Sequence, residues 1–159
     1  SVLACDGQRP VWEERTPHDV VAAAGAADHC RIDLEVDARW WLLDLLTERP
    51  DQWIDLAYVD AAHTVEVDSF LVSALWRHIR PGGVLVLDDL DWTASLHARP
   101  GAVFSRPDRS HVRALYDYLR ALPDVADATE WGREEVGWTW ALLLKASGSG
   151  PADLASLLR

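Results

Sequence analysis

Ile54-Asp55-Leu56-Ala57-Tyr58-Val59-Asp60 and Val84-Leu85-Val86-Leu87-Asp88-Asp89 are the stretches that decide the fold. Each is a short apolar run ending in carboxylates, the pattern of a buried β-strand. A helix-patterned stretch and Pro81-Gly82-Gly83 separate them. A strand–helix–strand unit of this length is a right-handed parallel crossover, so both strands end on one edge of the sheet. That edge is where open α/β sheets take ligands. Asp60, Asp88 and Asp89 therefore converge there, with His63 one turn beyond Asp60. Carboxylates crowded in this way repel unless a cation or shared protons neutralise them.

Working upstream, Val2-Leu3-Ala4-Cys5 reads as a strand ending at Asp6. Thr16-Pro17-His18-Asp19 is a helix start, with a capping threonine, proline at the first helical position and an acid three residues on. Gly25 can stop that helix. Arg31 to Val36 alternates as a strand ending at Asp37, and Trp40 to Leu46 gives a helical stretch closed by Pro50. Between the two deciding strands, Thr64 is placed to cap a helix over 65–80, whose apolar stripe is Val67, Leu71, Ala74, Leu75 and Ile79.

Downstream, residues 93–110 form a loop rich in Pro, Ser and Arg, with Arg99, Arg106 and Arg109 beside His97. It serves either as a lid or acceptor-binding segment or simply as a solubilising loop. Trp92 either walls a pocket or packs in the core, and Asp91 reads as a helix or turn cap. Val112 to Leu119 marks another helix, and strands follow at 126–131 and 137–145. The order β-α-β-α-β-α-β-loop-α-β-β predicts an α/β fold with a mostly parallel sheet and one antiparallel strand near the edge. Residues 1–146 form the domain, and 147–159 a linker with a short terminal helix.

The 159 residues suit one domain with a substantial core. A net charge of −11 excludes a phosphate-backbone binder, so no nucleic-acid partner is expected. There is no methionine, Lys145 is the one lysine, and the nine tryptophans fill the core or line a pocket. Cys5 and Cys30 are too few and too far apart for a zinc site or a disulfide framework, and read as buried free thiols in a reducing cytoplasm. No apolar run approaches a membrane span, and no signal peptide is visible. The chain opens at Ser1 inside an apolar strand pattern, so a piece of a longer polypeptide is expected.

Three segments carry a family resemblance: Ala24 to Asp37-Ala38, Ile54 to His63, and Arg80-Pro81-Gly82-Gly83 to Asp89. Their order and spacing resemble class I S-adenosylmethionine (SAM)-dependent methyltransferases, closest to the metal-dependent O-methyltransferases of catechols and macrolide sugars. The resemblance implies a Rossmann-like methyltransferase sheet, N-terminally truncated, because the family's first strand and glycine-rich loop should precede residue 2. It places Asp6 at the SAM ribose hydroxyls, Asp37 beside the adenine, Asp60, Asp88 and Asp89 on a magnesium ion, and His63 at the catalytic base. The implied activity is Mg²⁺-dependent O-methylation of a small hydroxylated acceptor, a sugar or natural product, and self-association is plausible for a sheet lacking that strand. A non-catalytic or metal-independent methyltransferase-like domain is the alternative. A haloacid dehalogenase-type phosphohydrolase is suggested by Asp89-Leu90-Asp91-Trp92-Thr93, but such a fold needs a later lysine and a later acidic pair for magnesium. Lys145 lies in the final strand, and no Asp-Asp pair follows.

Overall fold

A computed structural model describes residues 1–7, 15–97, 105–133 and 138–147. The loop around Trp12, the Arg99 part of the 93–110 loop, and the linker and helix expected after Ser147 lie outside the described residues. The chain divides into two compact units, Ser1–Pro50 and Asp51 onward.

In the first unit β1 (Val2–Asp6) and β2 (Cys30–Leu34) pair in parallel, with Asp6 level with Leu34. Helix α1 (Pro17–Ala23) begins with the expected capping box. Thr16 accepts from the Asp19 amide, and the Asp19 carboxylate accepts from the Thr16 amide. Gly25, at φ +69, takes the left-handed turn that ends it. A 3₁₀ turn at Ala27–His29 leads into β2. That strand stops at Leu34 rather than at Val36, because Glu35 adopts φ +60 and turns the chain away. Asp37 then caps α2 (Ala38–Glu48), two residues earlier than the apolar pattern suggested. Side chains fasten both helices to β2: the His18 ring bonds the Ile32 carbonyl at 3.1 Å, and the Trp41 indole donates to Asp33 at 2.6 Å.

The second unit is a four-stranded sheet in the order β3 (Ile54–Val59), β4 (Ile79–Leu87), β6 (Trp138–Lys145), β5 (Val125–Arg133). Strands β3 and β4 are parallel, while β6 runs antiparallel to both of its neighbours, one place in from the β5 edge. Helices α3 (Val65–His78), α4 (Ala94–His97) and α5 (His111–Leu119) complete it. Period-two alternation puts Ala57, Val59, Leu85, Leu87, Ala141 and Leu143 on the buried face of the sheet. Val72 and Trp76 of α3 and Val112, Tyr116 and Leu119 of α5 complete that core.

Helix α3 is capped by Thr64 as expected, but it ends at His78, and Ile79 belongs to β4. Its buried side is turned from the predicted stripe toward Asp68, Leu71, Val72 and Trp76. Among the described tryptophans, Trp76 is buried in the core, whereas Trp40, Trp53 and Trp131 are exposed. Cys5 and Cys30 are free and half-buried. No described helix is long and apolar enough to cross a membrane.

Candidate active site

Strands β3 and β4 end side by side because Val59 pairs with Leu87 and the Asp88 amide donates to the Val59 carbonyl at 3.0 Å. From those ends Asp60, His63 and Asp89 each bring one ligand atom to within 4.8 Å of the others. His63 Nε2 lies 3.4 Å from Asp89 Oδ2 and 3.9 Å from Asp60 Oδ1. His63 and Asp89 have φ of 53° and 52°, a region that side-chain-bearing residues enter at a cost. Strain kept at two members of a three-residue cluster is a mark of a functional site.

Asp88, expected to share the cluster, is not one of the three. Its Oδ1 accepts from the Asp89 amide at 2.7 Å, and its Oδ2 accepts from the Tyr58 hydroxyl. Tyr58 sits two residues before Asp60 and on the opposite sheet face from Val59. Burial first, and the Asp88 bond next, push its phenol above the usual tyrosine range. Asp91 is no ligand either: it accepts from Arg113 at 2.7 and 2.8 Å, and the same guanidinium holds Glu130. That arrangement removes the acid the phosphohydrolase reading needed.

Behind the cluster, the Trp92 ring stacks on His63 with centroids 4.9 Å apart and planes 15° from parallel. Its edge meets His111, which bonds buried Asp68 at 2.5 Å. The other Asp68 oxygen is buried without a hydrogen-bond partner. Sequence reasoning missed this pair. The available signal was the spacing of Asp68 from Leu71, Val72 and Trp76, which puts a carboxylate on the apolar face of α3. Trp92, His63 and His111 also line a cavity of about 560 Å³, together with Glu66, Arg106 and Arg109. That volume is within the range of small-molecule sites.

Asp6 and Asp37 lie in the first unit. Asp6 ends β1, half-buried, and its carbonyl accepts from the Val36 amide at 3.1 Å, so the Asp37 segment folds against the same strand end. The Asp37 carboxylate is taken up locally. It accepts from the Arg39 amide and guanidinium, and these bonds hold its pKa down at about 2.

Residues 2–90 match the model of a family described as a methyltransferase domain. No curated protein sequence matches the chain. Among solved structures, the O-methyltransferase TomG of Streptomyces achromogenes, from tomaymycin synthesis and in complex with SAM, superposes with a TM-score of 0.60 at 18% identity, covering 92% of this chain and 73% of that one. An O-methyltransferase of Bacillus cereus in complex with S-adenosylhomocysteine (SAH) gives 0.62 at 14% identity, covering 91% and 73%. The methyltransferase MycE of the mycinamycin pathway, in complex with Mg, SAH and mycinamycin VI, gives 0.55 at 15% identity, covering 99% of this chain and 49% of that one. At such identities the likeness shows a common fold, that of class I methyltransferases.

Proposed function

The chain belongs to the methyltransferase-domain family, and from that premise we propose that it moves the methyl group of SAM onto an oxygen of a small hydroxylated acceptor, a sugar or other natural product, with Mg²⁺ held at the ends of β3 and β4. The observation that carries this reading is the convergence of Asp60, His63 and Asp89, two of them on left-handed backbone. SAM or SAH accompanies the similar TomG and Bacillus cereus structures, and Mg accompanies MycE.

The residues fit both groups. Mg²⁺ is bound through one or two carboxylates and otherwise keeps water or substrate oxygens, which suits Asp60 and Asp89, with the charge of Asp88 adjacent. Asp6 offers two acceptor oxygens to the ribose diol from the carboxyl end of a parallel strand. Asp37 would stand beside the adenine, its carboxylate held by Arg39. SAM supplies an electrophilic sulfonium methyl, and Mg²⁺ supplies positive charge that favours the ionised form of a nearby hydroxyl.

The protein's own task is to align the acceptor oxygen and remove its proton. Alignment alone can account for several kcal/mol of barrier, on the order of 7–11 at its best. His63 is placed for the role of general base, its Nε2 3.4 Å from Asp89 and 3.9 Å from Asp60. Trp92 fixes the plane of the imidazole by stacking. The transfer balances as methyl ether, SAH and a proton on His63 Nε2.

Calorimetric titration of SAH and of Mg²⁺ into the purified chain tests this. SAH binding that is lost in Asp6→Ala, and Mg²⁺ binding weakened in Asp89→Asn, support it. With acceptor and SAM present, His63→Ala loses turnover while keeping SAH affinity. Silence toward SAH, with and without Mg²⁺, overturns it.

A further inference from the structure

The cavity beside His63 has a charged end that methyl transfer does not use. Arg31, Arg39, Arg80, Arg113 and Arg120 each hold a carboxylate. Arg106 and Arg109, by contrast, have no ion-pair partner among the described residues, although the chain carries eleven more acids than bases and Asp108 lies between them. Both line the cavity that His63, Trp92 and His111 line from the other elements. Glu66 is the one acid among the described residues around it, so the two guanidinium groups leave this wall net positive.

The arginines sit on a built turn. The Arg109 amide donates to the Arg106 carbonyl at 3.2 Å, bringing the two residues to the ends of one turn. The Ser95 amide donates to the Pro107 carbonyl at 2.9 Å and ties the turn to α4. Ser110 caps α5 and donates to the Leu90 carbonyl at 2.7 Å, anchoring the other side next to the Asp89 strand end. Two arginines at the ends of one turn suit a planar or tetrahedral oxyanion, since a guanidinium binds one through parallel charged hydrogen bonds.

We propose that the acceptor carries an oxyanion, carboxylate or phosphate, away from the hydroxyl that is methylated, and that Arg106 and Arg109 bind it. This rests on the methyl-transfer reading above and narrows its substrate class to anionic hydroxylated molecules. The arginines act as specificity residues, orienting the acceptor so that its neutral, hydroxyl-bearing end faces His63.

Calorimetry on the full chain with Mg²⁺, using 3,4-dihydroxybenzoate, its neutral amide and 3,4-dihydroxybenzyl phosphate as probes, tests the proposal. The acid or the phosphate binds about tenfold more tightly than the amide. That advantage shrinks as salt is added and disappears in the Arg106→Gln/Arg109→Gln double variant, while amide affinity stays unchanged and so reports an intact fold. Preference between acid and phosphate assigns the oxyanion. If all three probes bind equally, or if the advantage survives the double substitution, the proposal is overturned. Should the amide bind only with Mg²⁺ while the charged probes gain nothing, the anion site falls and the metal reading stands. If no probe binds with or without Mg²⁺, both fall.

Discussion

Gly83 is where a single methyl group tests how the active-site strands are set level. Along β3 and β4, Ile54 pairs with Ile79, but Leu56 pairs with Val84, so Arg80 to Gly83 form an excursion opposite a single residue of β3. A Cβ on Gly83 meets Ile79 Cγ2 at 2.7 Å, the Arg80 carbonyl oxygen at 2.9 Å and the Asp55 carbonyl oxygen at 3.0 Å. Two of these atoms are backbone, and Ile79 is fully buried, so none can step aside cheaply. Overpacking of this kind costs about 1–3 kcal/mol, and contact on three sides puts Gly83→Ala at about 3.

Gly82 is the built-in control. Its φ of +77 strains any side chain, but its nearest neighbour is Ser147 Oγ at 3.6 Å. Gly82→Ala therefore carries only the conformational cost, about 1 kcal/mol. Urea unfolding with a slope of about 1.5 kcal/mol/M converts the Gly83 figure to a midpoint lower by about 2 M. A Gly83→Ala midpoint within experimental error of the parent, or above that of Gly82→Ala, refutes the packing argument. The same substitution pushes β4 away from β3 at Asp55, so the proposed Mg²⁺ site at the ends of these strands is expected to weaken along with stability.

Three further outcomes follow from other groups. Burial first, and the Asp33 and Asp6 charges next, push the Cys5 thiol from 9.0 up to about 11, so its thiolate is about 100-fold scarcer at pH 8 and iodoacetamide modifies Cys5 that much more slowly in the native chain than after unfolding. Lys145 is buried, donates to the Trp76 carbonyl at 2.7 Å and is lowered by burial, so an amine-acylating reagent labels it only on unfolding. The unfolded chain holds that proton more tightly, so stability rises as pH climbs toward the ordinary lysine value of 10.5, a slope that Lys145→Met abolishes in urea titrations run below pH 10. Removing one partner of the buried Asp68–His111 hydrogen bond, as in Asp68→Ala, costs about 3 kcal/mol, whereas Asp68→Leu/His111→Phe regains most of it, and equal losses in the two variants exclude an origin in the unpaired polar group.

What the sequence made legible was local or set by period. Thr16 and Thr64 sit at the caps expected of them, because capping depends on neighbours within one turn. The acid-ended runs are the adjacent strands they were read as, since apolar runs and a crossover helix leave few alternatives. Asp60, His63 and Asp89 meet as the strand ends require. What was missed depends on partners distant in the chain. Ile79 looked helical and became strand by pairing with Ile54. Asp68 went unread, because its partner His111 is 43 residues away. The bond from Tyr58 to Asp88 joins cross-strand neighbours that only register reveals. Ser110 and Asp37 cap helices whose apolar patterns begin later, so the caps went unread.

The position of β6 governs the order in which the protein can be completed. A ribosome makes β4 and β5 first, yet the strand that lies between them is synthesised after both. Until residues 138–145 emerge, β4 has an unfilled edge and β5 has no neighbour to hold it, so the second unit cannot close during its own translation. Synthesis at roughly 5–20 residues per second leaves those edges open for seconds, a window in which they are exposed to pairing with other chains.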